Sequence, residues 1–259
     1  VNQFHDAGGM AFLIDQLLSQ GLLHADVKTV NGTGLDGYAQ VPVLDAMGKL
    51  AWQKVSGESG NRGVLRAISE PFRPDGGLRL LDGNLGRGVI KVSSVPEDRM
   101  VIEAPAVVFN DQDEIRGAFE RGELNRDFVA VVRFQGPRAN GMPELHKLTP
   151  TLAVLQDRGH RIALLTDGRM SGASGRVPAA IHVTPEAEAG GALAKLRDGD
   201  LIRLDAIQGM LDVLVDEAEF AARPSVTLPD HSHHVGMGRE LFGLFRSNAV
   251  TADLGAGVL

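Results

Sequence analysis

Short apolar runs bounded by turn residues recur along most of the chain after residue 64. They are rich in Val, Ile, Leu, Ala and Phe and too short for helices, which is typical of β-strands. The pattern predicts eight strands, at residues 78–81, 88–92, 106–109, 128–134, 162–165, 180–183, 201–204 and 211–215.

Helical patterns lie between several of these strands. The predicted helices are residues 113–121, 145–158, 186–197 and 239–245. Asp111 or Asp113 can cap the first helix, and Pro150 should break or kink the second. The pattern predicts a mixed α/β fold, with a β-barrel-like or strongly curled sheet flanked by helices. A doubly wound parallel sheet would need stricter alternation of strands and helices.

Residues 1–63 follow a different pattern. Apolar positions at helical spacing predict a helix over residues 6–20 that begins near Gly9 or Met10. A second, short helix is predicted around residues 44–47, and the glycine-rich residues 57–63 are the best linker candidate. We therefore expect a helical segment and linker over residues 1–63, and a barrel-like domain over residues 64–259.

Composition narrows the classes of function. The 259 residues carry a net charge of −7, which argues against a nucleic-acid binder but leaves room for an anionic small molecule at local arginines. The sequence contains no apolar run of membrane-spanning length. It also contains no cysteine, which excludes disulfides, cysteine nucleophiles and thiolate ligands to a metal or cluster.

A glycine- and serine-rich loop, residues 166–175 (TDGRMSGASG), follows the predicted strand at 162–165. Such a loop at the end of a strand can present hydroxyl and N–H groups to an anionic ligand. The alternative is an ordinary glycine-rich surface turn.

A second glycine- and proline-rich loop, residues 136–144 (GPRANGMPE), follows the strand predicted at 128–134. Glu144 is either a helix-capping residue or a ligand for a hard cation. If the two strands run in the same direction, their loops meet at one edge of the sheet. Ser171 and Glu144 would then face one pocket.

Six segments together resemble the dihydroxyacid dehydratase / phosphogluconate dehydratase family, in its C-terminal part. They are FHDAGGM at 4–10, GNL at 83–85, the loop at 136–144, TDGRMSG at 166–172, VTPEA at 183–187 and RDGD at 197–200. Within the family, residues 171–175 and the segment GRELF at 238–242 are most similar to the branch that acts on 6-phospho-D-gluconate.

The resemblance implies a hydro-lyase of the Entner–Doudoroff pathway that converts 6-phospho-D-gluconate to 2-dehydro-3-deoxy-6-phosphogluconate and water. It implies an iron–sulfur cluster as Lewis acid on the departing hydroxyl, and Mg²⁺ or a similar cation near the substrate carboxylate. The family's cluster cysteines lie in an N-terminal domain. The chain therefore resembles a C-terminal part, inactive alone, with residues 1–63 as the end of that N-terminal domain.

The resemblance also implies roles for site residues. Ser171 matches the general base, Ser174 assists it, and Glu144 matches a metal ligand. An unperturbed serine is a weak base, so it needs nearby cations and oriented N–H donors. Gly172 and three arginines are candidates for binding the substrate carboxylate or phosphate. The arginines are Arg138, Arg169 and Arg176, and for each a solvated surface charge is the alternative.

The implied partners are a phosphorylated sugar acid, the N-terminal cluster domain and a second copy in a homodimer, in the cytoplasm and without nucleic acid or membrane. Two alternatives remain: a dehydratase of another sugar acid or dihydroxy acid, and a non-catalytic metabolite-binding or dimerisation domain. The sequence HSHH at 231–234 is either a metal site or, as we favour, a polar loop.

Overall fold

The computed structural model describes residues 1–171, 175–227 and 236–258. Within these ranges the chain divides into two units, residues 1–74 and residues 75–259. No helix in the described ranges is both long enough and apolar enough to span a lipid bilayer.

The first unit contains two helices and two small hairpins. Its elements are α1 (Asn2–Asp6), α2 (Gly9–Ser19), β1 (Lys28–Thr29), β2 (Gly32–Thr33), β3 (Gln40–Leu44) and β4 (Leu50–Lys54). The helix predicted from residue 9 or 10 is confirmed as α2. Phe12 of α2 is fully buried and packs in a small core with Ala7, Val55 and Leu65.

The helix predicted around residues 44–47 is wrong, because Leu44 ends β3 and residues 45–47 lie in the turn that leads to β4. The Asp45 carboxylate accepts backbone N–H bonds from Met47 and Lys49, at 2.8 and 2.9 Å. Gly48 takes the left-handed conformation that closes the turn, with φ 75°. Asp and Gly favour turns for these reasons, and here they outweigh the helical spacing of a few apolar residues.

The second unit is built around eight strands. The strands are β5 (Leu78–Gly83), β6 (Gly86–Lys91), β7 (Val101–Phe109), β8 (Phe128–Val132), β9 (Ile162–Thr166), β10 (Ala179–Thr184), β11 (Leu201–Asp205) and β12 (Met210–Val213). The helices are α3 (Gln112–Glu120), α4 (Pro137–Asn140), α5 (Leu148–Asp157), α6 (Glu217–Ala222), α7 (Met237–Leu241) and α8 (Gly243–Asn248).

The strands close into a barrel in the order β10-β6-β5-β12-β11-β7-β8-β9. Every strand predicted from the sequence is present, and the predicted mixed α/β fold with a barrel-like sheet and flanking helices is confirmed. Four neighbouring strands, β7, β8, β9 and β10, are parallel to one another. Their carboxyl ends therefore meet at one edge of the barrel, as expected if the loops at 136–144 and 166–175 are to lie close together.

Burial on both faces explains why β8 and β9 read as uninterrupted apolar runs. Along β9, Ala163 and Leu165 belong to the cluster that fills the barrel, whereas Ile162 and Leu164 pack in a second cluster. That second cluster includes residues of α3 and α5. The outer helices therefore cover this side of the barrel.

Two predicted helices differ from the structure near glycine and proline. Residues 186–197 form two short 3₁₀ turns, Ala187–Ala189 and Ala192–Lys195, rather than one helix. Gly190 between them is left-handed, with φ 81°, and a Cβ on Gly191 would overlap the Pro185 carbonyl. A continuous helix cannot follow that path.

The break or kink predicted at Pro150 is also wrong. Helix α5 begins at Leu148, so Pro150 lies in the first turn, where its missing N–H has no intrahelical acceptor to lose. The helix predicted over 239–245 is present as two short helices, α7 and α8. The Asp111 cap of α3 is confirmed, because its carboxylate accepts the Asp113 N–H at 2.7 Å.

One buried carboxylate joins three loops at the carboxyl edge of the parallel strands. Asp167, which follows β9, is fully buried and accepts N–H bonds from Gln135 (2.9 Å), Phe134 (3.2 Å) and Ala187 (2.9 Å). Phe134 and Gln135 follow β8, and Ala187 follows β10. The single side chain thereby fixes where the chain goes after each of these strands. Phe134 adopts a positive φ of 63°, which is unusual for a bulky residue.

Burial raises the pKa of Asp167 from 3.8 to about 6, against the opposing effect of the three N–H donors. Between about pH 4 and pH 6, the folded state then holds a proton that the unfolded state has released. The stability from this group is fully present below about pH 4 and lost as the pH rises to about 6. Relative to an Asp167→Asn variant, the wild type should lose about 3 kcal/mol of unfolding free energy over this range.

Chemical denaturation of both proteins at pH 4, 5, 6 and 7 measures this difference. Asp26→Asn, which removes an exposed carboxyl group, is the matched control and should show a much smaller change. A wild type that gains stability over the variant with rising pH would mean that the N–H bonds outweigh burial.

Candidate functional site

The loop after β9 carries Ser171 and is held by neighbours on both sides. The Gly168 carbonyl accepts the N–H of His182 in β10 at 2.9 Å. On the other side, a Cβ on Gly168 would lie only 2.7 Å from the Cβ of Gln135. Glycine is therefore needed at 168 for the loop to pass this close to the segment after β8.

Ser171 lines a cavity of about 370 Å³ on the barrel surface. Arg169, His182 and Lys91 line the same cavity, and apolar side chains of β5, β6, β10 and α5 form most of the remaining wall. Burial, together with the positive charge of Arg169, lowers the pKa of His182. His182 is therefore neutral at pH 7, and the cations of this wall are Lys91 and Arg169.

The segment 136–144 begins with the short helix α4 and continues without helical structure from Gly141 to Glu144. Glu186 follows β10, and its carboxylate accepts hydrogen bonds from the N–H groups of Arg138 and Ala139 at 3.0 and 3.1 Å. A Cβ on Gly136 would overlap that carboxylate, so glycine at 136 makes room for it. The cap of α4 is therefore supplied by a residue distant in the sequence.

Glu144 lies beside the Ser171 loop. It forms an isolated parallel bridge with Arg169, in which the Leu145 N–H bonds the Arg169 carbonyl at 3.1 Å. The Arg169 side chain in turn donates Nε–H to the Met142 carbonyl at 2.8 Å. The structure thus brings the backbones of the two loops together, two residues before Ser171.

The capping interpretation of Glu144 is wrong, because α5 begins at Leu148 and its N-cap is Lys147. Glu144 is half-buried and does not line the Ser171 cavity, so the expectation that Ser171 and Glu144 face one pocket is wrong, although their loops are adjacent. Its carboxylate forms no hydrogen bond or ion pair among the described residues and can therefore supply an oxygen ligand to a cation.

The three arginines predicted at the substrate are all exposed but have different neighbours. Arg169 lines the Ser171 cavity. Arg138 is exposed and donates Nε–H to the Ala249 carbonyl at 2.9 Å. Arg176 is exposed and forms an ion pair with Asp157 at the end of α5. Ser174, Gly172 and residues 231–234 lie outside the described residues.

The described residues do not contain a complete metal site. Among them, no group of three or more His, Cys, Asp or Glu side chains could hold a metal ion. The chain has no cysteine and so cannot supply thiolates to an iron–sulfur cluster.

Sequence reasoning missed two residues of the Ser171 cavity. Lys91 is the last residue of β6, and His182 lies within β10 with a positive φ of 57°. Neither belongs to a glycine-rich loop, and their approach to Ser171 depends on how β6 and β10 pair around the barrel. The only sequence signal that could have identified them as site residues is that they are polar residues within apolar strands.

Comparison with known proteins identifies the family of the chain. The profile of a family described as "Dihydroxy-acid/6-phosphogluconate dehydratase C-terminal" matches residues 63–256. A phosphogluconate dehydratase of Pseudomonas aeruginosa is 58% identical over 99% of this chain and 42% of its own length.

Other relatives extend the same result. A phosphogluconate dehydratase of Zymomonas mobilis is 55% identical over 99% of the chain and 42% of its own length. A dihydroxy-acid dehydratase of Ignicoccus hospitalis is 38% identical over 84% of the chain and 37% of its own length. The chain thus spans less than half the length of the curated relatives it matches. It belongs to the dihydroxy-acid/6-phosphogluconate dehydratase family and corresponds to the C-terminal part of its members.

Proposed function

We propose that the full-length protein containing this chain is a hydro-lyase that converts 6-phospho-D-gluconate to 2-dehydro-3-deoxy-6-phosphogluconate and water. In this reaction the C2 proton and the C3 hydroxyl leave as water, and the resulting enol becomes the 2-keto acid. The observation that carries the proposal is the degree of identity. It is 54–58% over essentially the whole chain with four phosphogluconate dehydratases, against 38% with a dihydroxy-acid dehydratase.

Ser171 removes the C2 proton in this proposal. A serine hydroxyl is a weak base in water, and its alkoxide needs stabilisation by positive charge and N–H donors. Lys91 and Arg169 line the same cavity and supply that charge. The lowered pKa of His182 keeps its imidazole neutral at pH 7, so His182 adds no positive charge to the cavity. Apolar side chains form most of the remaining wall, and they reduce the screening of these charges.

Cofactors enter the proposal in two ways. Glu144 would hold Mg²⁺ or a similar divalent cation through a carboxylate oxygen, the donor such ions prefer. When bound, that ion would neutralise the substrate carboxylate. An iron–sulfur cluster does not fit the residues of this chain, since thiolate ligands are lacking. We place it in the N-terminal domain.

The remaining assignments follow from the same proposal. Residues 1–63 form the end of the N-terminal domain, and Ser174, Gly172, Arg138 and Arg176 stay candidates near the substrate. The chain by itself is inactive without the cluster-bearing domain, and the full-length protein is a homodimer. Because phosphorylated sugar acids do not cross membranes, the enzyme acts in the cytoplasm.

Purified full-length holoenzyme tests the reaction directly. Formation of 2-keto acid should be fastest with 6-phospho-D-gluconate, much slower with D-gluconate, and slower still with a branched-chain dihydroxy acid. Faster turnover of the dihydroxy acid would assign the protein to the other branch of the family. Absence of turnover with all three, in a preparation with an intact cluster, would favour a non-catalytic domain.

Replacing Ser171 tests its role as base. Ser171→Ala should lower kcat by about 100-fold or more, the usual contribution of a positioned proton acceptor. The thermal midpoint should stay within a few degrees, because the change removes one half-buried hydroxyl. Ser19→Ala, at an exposed serine that ends α2, is the control and should keep full turnover. Near-normal kcat for Ser171→Ala would remove the serine from the mechanism.

Replacing Glu144 tests its role as metal ligand. Glu144→Gln should raise the Mg²⁺ concentration for half-maximal activity by about tenfold or more, since an amide is a weaker ligand than a carboxylate. Glu123→Gln serves as the matched control, because that glutamate is exposed and paired with Arg121. An unchanged metal requirement in Glu144→Gln would contradict the assignment.

A further inference from the structure

A second cavity, of about 490 Å³, lies where α7 and α8 meet the loop after β8. Asn140, Gly141 and Met142 line it on the loop side. Arg239 and Arg246 line it on the side of the two helices, together with aromatic side chains. This cavity therefore combines two cations with the same segment that leads to Glu144.

Both guanidinium groups are held in place by neutral acceptors. Arg239 donates Nη1–H to the Asn140 side-chain oxygen at 3.0 Å and a longer bond, 3.5 Å, to the Ala139 carbonyl. Arg246 donates Nη2–H to the Arg239 carbonyl at 2.7 Å. Each guanidinium has five N–H donors. Most of the donors on the two side chains are thus not used by protein acceptors among the described residues.

No carboxylate in the described part of the chain forms an ion pair with Arg239 or Arg246. The buried Arg223, by contrast, pairs with Asp200 at 2.6 Å. Burial and the nearby charge of Arg239 lower the pKa of Arg246. Two adjacent, half-buried cations without a counter-charge are costly unless an anion binds to them.

The surrounding acids do not supply that counter-charge. Glu186 bonds to the N–H groups that begin α4, and the exposed Glu240 has no ion pair in the described residues. Phe242 and Phe245, whose ring centroids are 5.7 Å apart, form part of the wall. An apolar wall beside paired guanidinium groups strengthens their attraction for a bound anion.

The second cavity is linked to the Ser171 cavity through one residue. Met142 lines the second cavity, and its carbonyl accepts the Arg169 bond described above. Arg169 lines the Ser171 cavity. The two cavities are therefore lined by residues that bond directly to each other.

We propose that Arg239 and Arg246 bind the phosphate group of the substrate and so select phosphorylated over unphosphorylated sugar acids. A planar guanidinium matches the oxygens of a phosphate group in a two-point contact. This inference rests on the proposed function and assigns the phosphate to arginines other than the three predicted at the substrate. Arg138, whose Nε–H bonds the Ala249 carbonyl, does not line this cavity.

The first test uses the full-length holoenzyme and two substrates. Arg239→Gln and Arg246→Gln should each lower kcat/KM for 6-phospho-D-gluconate on the order of 10- to 100-fold, mainly through KM, since a bond to a charged group is lost. The much lower kcat/KM for D-gluconate should stay nearly constant. Arg246→Lys should restore part of the loss. Arg121→Gln, at an exposed arginine paired with Glu123, is the control.

Equal losses of kcat/KM with both substrates would overturn the proposal, because a purely structural role of the arginines predicts that result. No loss of kcat/KM with either substrate would overturn it too. Thermal midpoints of all variants show whether a loss reflects unfolding, and Arg246→Lys retains the positive charge where Gln does not.

A second test separates this site from the reaction itself. Inorganic phosphate should raise the thermal midpoint of the wild type and of Arg121→Gln, and should do so less in Arg239→Gln and Arg246→Gln. This result would support the site even if 6-phospho-D-gluconate proved not to be the substrate. Equal stabilisation of all four proteins by phosphate would overturn the site, even if the dehydratase reaction were observed.

Discussion

The buried carboxylate of Asp167 is the interaction on which the candidate site depends. It accepts N–H bonds from the segments that follow β8 and β10, while it follows β9 itself. Since these strands are parallel neighbours, their ends already meet at one edge. Asp167 converts that proximity into fixed positions for the loops that carry Ser171 and Glu144.

A second layer of contacts supports the same edge. Glu186, in a loop distant in the sequence, caps the N-terminus of α4 with its carboxylate, and Gly136 leaves room for that carboxylate. Gly168 lets the Ser171 loop pass close to Gln135. Each of these is a close approach between segments that are far apart in the sequence. The site is thus a product of the barrel topology rather than of any single motif.

Charge is distributed unevenly around this edge. The chain as a whole is acidic, with a net charge of −7, yet Lys91 and Arg169 line one cavity, and Arg239 and Arg246 line the other. Local cations determine which ligand a cavity attracts, whatever the sign of the whole molecule. An acidic protein can therefore contain cavities that attract anions.

The sequence predicted the strands better than the loops. Apolar runs such as β8 and β9 are buried on both faces, so their composition alone identified them. The predicted helix at 44–47 failed because the Asp45 carboxylate stabilises a turn. The predicted helix at 186–197 failed because Gly190 and Gly191 redirect the backbone. The kink predicted at Pro150 failed because α5 begins only two residues before the proline. The Ser171 and Glu144 loops were found because their glycines are local signals. Lys91, Arg239 and Arg246 were not predicted as site residues, because only tertiary packing brings them to the cavities.

The most direct measurement is a crystal structure of the full-length protein with 6-phospho-D-gluconate bound. The account predicts that C2 of the substrate lies beside Ser171, its carboxylate on the side of Glu144, and its phosphate at Arg239 and Arg246. A substrate bound at the opposite end of the barrel, away from the Asp167 loops, would contradict it.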